Sequence, residues 1–403
     1  MDRPWMRHYD QPVPQPFTFA ETTLDRLLAR TAAEHPDWVA LSHDGADTTY
    51  GELAVRANRL AHALRALGLR RGDRVALVLP TSPVYPVAAA AAHANGAAIV
   101  NFSVMAKGLE LRETLRAVGA RILITLDVFL PNVLPALAGS GVEQLVLHSV
   151  QGLQKQLPPP PVPLWHFGEL LRAHPAQAPD SAAEPGDPAL IQLTSGTGGR
   201  PKAALLTHRN LVANLRQIEA FRPEPGGTNA AVICLLPFFH VFGFAICLQL
   251  SVLRGYRMVL VPRFDPFALT ALLGLIAKYQ PVSLPAVPVL WSALVRHLGE
   301  SPAACALLAT IEMPSSGGAP LPPPVKERYF RLTGRRIHEG YGLSEAASTT
   351  HMTPLLKDSP PGSIGIPLPG TDARIADLDD PARTLPAGEV GELAVRGPQV
   401  MTE

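Results

Sequence analysis

The stretch LTSGTGGRPKAALLTH, Leu193–His208, decides how the chain is read, because it sets small hydroxyls, glycines and one lysine between two apolar runs. Backbone N–H groups on the glycines, the hydroxyls of Thr194, Ser195 and Thr197, and the ammonium of Lys202 are all donors. A loop of this composition is built to receive an anion. The lysine is not background, since lysine otherwise occurs only at positions 107, 155, 278, 326 and 357, with arginine carrying most of the positive charge.

Spacing excludes the two best-known phosphate loops. A Walker A loop ends in Gly-Lys-Ser/Thr, whereas Pro201 precedes and Ala203 follows Lys202, removing a backbone donor and a magnesium-binding hydroxyl. The dinucleotide fingerprint fails too, because Pro201 stands where its third glycine belongs.

Working outward, the 403 residues are 47% hydrophobic and 17% charged, which suits a globular protein with a large core in two or three lobes. A net charge of +1 gives no electrostatic footprint for nucleic acid, and the pairs Arg70 with Arg71 and Arg335 with Arg336 read as solvated surface. Cys234, Cys247 and Cys305 are far apart, with no CxxC, which argues for reduced thiols and a cytoplasmic location. No signal-peptide core is visible at the start. The most apolar stretch, FGFAICLQLSVLRGYRMVLVP, contains Arg254 and Arg257 and reads as a buried helix and strand, not a membrane span.

From Thr22 helical and strand-like segments alternate. Thr49 and Glu52 form a capping-box signature before the stripe Leu53, Leu60, Leu64 and Leu67, Gly68 ends that helix, and RVALVLP follows as a buried strand. The alternation continues through AAIVNF, RILIT and EQLVLH, predicting an α/β fold with a helix-covered parallel sheet. A proline-rich stretch from about Gln154 to Pro188 reads as a connection, after which ALIQLT, AVICLLP and RMVLVP begin a second α/β run. From about Pro360, DARIAD and GELAVRG read as small antiparallel strands.

Two further loops carry candidate chemistry. In SSGGAPLP, Ser315–Pro322, the glycines let backbone approach a flat ligand; in HEGYGLSE, His338–Glu345, Tyr341 stands open between Gly340 and Gly342, with Glu345 as a candidate metal ligand. Taken singly, each reads first as a strand-ending turn. Gly342-Leu-Ser-Glu-Ala346 is also one residue short of a hydrolase nucleophile elbow, with His351 the only histidine beyond it.

Together and in this order, the three loops resemble the adenylate-forming, AMP-binding superfamily. LTSGTGGRPKAALLTHRNL is similar to its phosphate loop, SSGGAPLP to its adenine-pocket loop and EGYGLSE to the segment that stacks on adenine and reaches magnesium. LPFFHVFGF resembles the aromatic-histidine segment beside the acyl pocket, and GSIGIPLPG and GEVGELAVRGPQVM resemble segments of the third sub-lobe. The resemblance implies two mostly parallel sheets in five layers plus a small distorted β-barrel, with sub-lobes over roughly 1–188, 189–337 and 338–403 of a large N-terminal domain. The small C-terminal domain with its catalytic lysine is expected beyond Glu403.

By the same resemblance Thr194, Ser195, Gly196, Thr197, Gly198, Gly199 and Lys202 hold the ATP phosphates. Gly317, Gly318, Ala319 and Pro320 wall the adenine opposite Glu339, Gly340, Tyr341 and Gly342. Ser344 lies near the α-phosphate, and Glu345 holds Mg²⁺. Thr194, Lys202 and Glu345 take the catalytic roles, and His240, Val241, Phe242 and Gly243 border the acid. The implied reaction joins a fatty acid, medium or long, to coenzyme A through an acyl adenylate, with an aryl- or small-acid ligase and a nucleotide- or acyl-binding module as alternatives. A homodimer is left open. Two departures stand out: Gly198 replaces a usual threonine, and Ala203 a frequent glycine. An apolar tunnel would reward an alkyl chain by roughly 0.8 kcal/mol per buried methylene.

Overall fold

The computed structural model describes residues 3–13, 16–150, 158–194, 202–222, 229–262, 269–298 and 301–402. Strand polarity alternates so regularly that it builds the layers. In Arg74–Val78, Val75 and Leu77 point into one core while Ala76 and Val78 point into another; in Ala231–Cys234, Val232 and Cys234 oppose Ala231 and Ile233 in the same way. Strands buried on both faces demand helices on both sides. The result is two sheets with a shared helical core between them and a further helical core outside each.

The first sheet runs Leu164–His166, Gln144–His148, Ile122–Leu126, Arg74–Val78, Ala98–Asn101, Pro188–Thr194, Lys202–Thr207. All its pairings are parallel except the last, an antiparallel hairpin. The second has nine strands. Its parallel centre is Arg257–Leu260, Ala231–Cys234, Ser283–Ala286, Met313–Gly317 and His338–Tyr341, and it ends antiparallel at His351–Met352 and Ile366–Pro367. At its other edge stand Val39–His43 and Ala46–Thr49, from the beginning of the chain. Sheet membership therefore crosses the division of the chain near residue 188.

The shared core is filled by the helices Leu24–Glu34, Tyr50–Ala66, Val84–Ala94 and His208–Phe221. The Tyr50–Ala66 helix starts at the capping box read in the sequence: Thr49 Oγ1 accepts from Glu52 N at 3.2 Å, and Glu52 Oε2 accepts from Thr49 N at 2.9 Å. Both reciprocal bonds are made.

Two expectations are corrected. The proline-rich connection contains the sheet-edge strand Leu164–His166 and the helix Phe167–Ala173, whose Phe167 and Leu170 are buried. Apolar anchoring there overrides the proline texture. At the chain's end the antiparallel strands are present, as Asp372–Ala376 paired with Glu392–Arg396, but they form a two-stranded ribbon and no closed barrel among the described residues.

Candidate active site

The glycine loop is closed at its base by a register pair: Thr194 ends one strand of the hairpin and lies opposite Lys202, which begins the other. Ser195, Gly196, Thr197, Gly198 and Gly199 lie outside the described residues. Lys202 is exposed, and among the described residues no ion pair engages its ammonium. A cavity of about 310 Å³ joins Thr194 to His240.

Beside the hairpin, Met313–Gly317 and His338–Tyr341 run parallel, with Gly317 opposite Gly340. Their ends open into a cavity of about 190 Å³ lined by His240, Val241, Phe242, Gly317, Gly318, Gly340, Tyr341, Gly342 and Ser344, joined by Leu343, Ser348 and Thr349. Sequence segments far apart in the chain therefore share one space. Ala319 and Pro320 follow as exposed residues. Gly243 lies in the next helix, where an added Cβ would come 2.2 Å from the Pro237 carbonyl oxygen. Glu339 lies outside this cavity: its carboxylate accepts from Lys326 Nζ at 2.8 Å.

The glycines are set by close approach. A Cβ on Gly317 would stand 3.0 Å from the Phe242 ring and 3.1 Å from the Gly340 oxygen; one on Gly342 would fall 1.4 Å from the Ser348 oxygen. Ser348 itself has φ 121° and Ala347 φ 57°, so the turn that carries the cavity wall is held in a conformation that non-glycine residues avoid.

What holds that turn is an amide that sequence reading passed over. Asn214 Nδ2 donates to the Thr349 carbonyl at 2.6 Å, and the Thr349 N–H donates to Asn214 Oδ1 at 3.1 Å. Asn210 Nδ2 donates to the Pro398 and Val400 carbonyls, and Met401 N donates to the Glu345 carbonyl at 2.7 Å. Both asparagines lie on the helix that directly follows Lys202–Thr207, and that strand packs beside the short turn Ser344–Ala346. With Gln217, whose Nε2 donates to the Pro369 carbonyl at 2.8 Å, they occupy one helical face at spacings of four and three. That amide stripe was the available signal.

A second polar chain fixes the aromatic-histidine segment. Tyr85 OH donates to Asn101 Oδ1 at 2.5 Å, Asn101 Nδ2 to Gln192 Oε1 at 3.2 Å, and Gln192 Nε2 to the Phe239 carbonyl at 3.2 Å. His240 Nδ1 accepts from the Phe242 N–H at 3.2 Å, which leaves the proton on Nε2, and the surrounding protein lowers its pKa. A neutral imidazole therefore faces the cavity.

Tyr341 meets His351 edge to face, with centroids 6.0 Å apart. Burial lowers the His351 pKa to about 4, and its Nδ1 lies 2.9 Å from the Thr350 hydroxyl. Among the described residues no histidine is hydrogen-bonded to Ser344; His351 lies instead beside the Thr350 hydroxyl and His240 beside the Phe242 N–H. The Glu345 carboxylate has no hydrogen-bond or ion-pair partner among the described residues, and no cluster of three metal-ligating side chains occurs there. A lone carboxylate completed by phosphate oxygens and water is the usual protein share of a magnesium site, so the donor set fits Mg²⁺.

A family profile for AMP-binding enzymes matches residues 28–403. The chain belongs to the AMP-binding enzyme family. It is 31% identical over 425 residues to a long-chain-fatty-acid–CoA ligase of Bacillus subtilis, taking in 99% of this chain and 73% of that protein. Among solved structures, a benzoate CoA ligase from Burkholderia xenovorans matches with a TM-score of 0.78 and 26% identity, over 94% of this chain and 72% of that one. A long-chain-fatty-acid–CoA ligase from Archaeoglobus fulgidus, at 23% identity, shares the fold with a TM-score of 0.84 over 98% of this chain and 78% of that one. Membership makes the chain an adenylate-forming ligase by family. Among the described residues no helix is long and apolar enough to cross a membrane.

Proposed function

We propose that this AMP-binding enzyme uses ATP to activate a fatty acid as its acyl adenylate, releasing pyrophosphate, and passes the acyl group to coenzyme A in the cytoplasm. The observation that carries this reading is the meeting, around Phe242, of a cavity rimmed by glycines and Tyr341 with a second, more apolar cavity behind it. The first suits a flat base and its ribose phosphate; the second suits the body of an acid.

The chemistry follows from charge. A carboxylate oxygen attacking the α-phosphorus approaches a polyanion, and the bond to the β-phosphate breaks as pyrophosphate departs. Lys202, Thr194 and the donors of Ser195, Gly196, Thr197, Gly198 and Gly199 spread the triphosphate charge. Gly317, Gly318, Ala319 and Pro320 flank the adenine on one side and Gly340, Tyr341 and Gly342 on the other, with Ser344 donating toward the α-phosphate. Glu345 holds Mg²⁺, which supplies charge neutralisation at the phosphates. The neutral His240 borders the nucleotide-side cavity without adding charge. The coenzyme A sulfur then attacks the acyl carbonyl, and AMP leaves.

The fatty acid is drawn from the Bacillus subtilis relative's name and the apolar side chains Ile218, Val232, Ile246 and Leu250 behind Phe242. The cavity behind Phe242 is small, about 50 Å³, which favours a second reading in which the acid is short or aromatic. Hydroxylamine trapping tests both: with ATP, Mg²⁺ and acids from four to sixteen carbons plus benzoate, we expect an acid-dependent hydroxamate and AMP. A folded protein that yields none with any acid contradicts the proposal.

A further inference from the structure

The cavity behind Phe242 has a mainly apolar wall interrupted by hydroxyls that a plain alkyl tail would leave unpaired. It shares Phe242, Gly340 and Thr349 with the nucleotide-side cavity, so the two adjoin across these residues. Ser251, from the helix Leu250–Arg254, is 1% exposed, and Ser316, from the strand Met313–Gly317, is 2% exposed. Both line the cavity, and neither hydroxyl has a hydrogen-bond partner among the described residues. Buried hydroxyls are almost always paired, so two unpaired ones on different elements around one cavity mark places for a ligand's polar atom.

Their neighbours are also polar. The Arg222 guanidinium is buried at the end of the His208–Phe221 helix and borders the cavity together with His338. Burial, with Arg222, Lys326 and Arg336 nearby, lowers the His338 pKa to about 3, so this ring stays neutral. The hydrocarbon part of the lining includes Ile218, Val232, Ile246 and Leu250, leaving a cavity that is mainly apolar and hydrogen-bonding at specific points.

We propose that the acid activated by this enzyme carries a hydrogen-bonding oxygen, a hydroxyl or a second carboxyl, at the end remote from the reacting carboxylate, and that Ser251 and Ser316 receive it. This rests on the adenylate reading of the adjoining cavity. A plain alkyl tail would leave both hydroxyls unpaired; an oxygen at the tail's end satisfies them. The discrimination is of the kind that a site built to bond an oxygen exerts against an analogue that lacks it.

The test uses three hydrolysis-inert acyl sulfamoyl-adenosines, hexanoyl, 6-hydroxyhexanoyl and 5-carboxypentanoyl, titrated calorimetrically into the protein. We expect an oxygenated analogue to bind at least about tenfold more tightly than the hexanoyl one. In the Ser251→Ala, Ser316→Ala double variant, that ratio should fall to within about twofold. Hexanoyl binding as tight as both oxygenated analogues overturns the proposal and leaves the adenylate site standing; the serines would then hold only water. If no analogue binds to folded protein, the adenylate reading fails and the proposal with it. The wild-type comparison alone decides even where the variant does not fold.

Discussion

Replacing Gly317 by alanine should block the acyl side of the site with little loss of fold. The new Cβ would lie 3.0 Å from Cε1 and Cζ of Phe242 and 3.1 Å from the Gly340 carbonyl oxygen. Carbon atoms prefer roughly 3.5–4.0 Å, so something must move by about half an ångström. The carbonyl belongs to the parallel pairing of Gly317 with Gly340 and is held by it. The Phe242 ring borders open space on two sides, so it yields and enters the cavity. Overpacking of this kind costs about 1–3 kcal/mol, and because the ring escapes into the ligand's volume the loss falls on binding. Affinity for an acyl sulfamoyl-adenosine should therefore drop by about 5- to 150-fold. Gly318→Ala is the contrast. Its methyl would meet only Val287 Cγ1, at 3.8 Å, but the backbone sits at φ +82°. That strain of about 1–2 kcal/mol should appear in the melting temperature more than in affinity. Calorimetry and thermal denaturation on both variants give the comparison. Wild-type affinity in a folded Gly317→Ala protein would refute the placement of the acid behind Phe242.

Other outcomes follow from the same geometry. Lys202→Ala should weaken ATP binding by about tenfold or more in calorimetry while leaving stability unchanged, because the side chain is exposed. Asn214→Ala removes both bonds to Thr349 in a fully buried site and should cost about 2–4 kcal/mol in denaturant titration, with a larger KM for ATP in the surviving folded fraction. Acid should destabilise the protein through His351. Its folded pKa of about 4 lies below the ordinary 6.5, so the unfolded chain binds the extra proton and stability falls as pH drops from 6.5 toward 4. The loss is on the order of 2–3 kcal/mol by pH 4, and His351→Gln should flatten that slope in urea titrations.

The parts of the fold legible in the sequence were those where local chemistry and tertiary packing agree. Thr49 and Glu52 fix a helix start without outside help, and runs such as Arg74–Val78 are apolar because both faces are buried. Leu164–His166 was hidden by surrounding prolines, since its place at a sheet edge depends on a parallel partner at Gln144–His148. The strand His338–Tyr341 was hidden for the opposite reason: its glycine, which reads as a turn, serves close packing against Gly317 and the cavity. In the site, Tyr341, Gly317 and His240 were visible because their residue types are unusual in context. Asn214 and Ser316 were not, because their importance lies in partners, or missing partners, far along the chain. The carboxylate of Glu339, a residue read beside adenine, is paired with Lys326, an ion pair that spacing alone does not reveal.

The central claim is that this chain makes an acyl adenylate, and acid-dependent ATP–pyrophosphate exchange tests it most directly. With labelled pyrophosphate, Mg²⁺ and ATP, we expect label to enter ATP only when a carboxylic acid is added, faster with the ω-oxygenated acid than with its plain counterpart of equal length. Exchange that proceeds without acid, or none with any acid in a folded protein that binds ATP, would contradict the account.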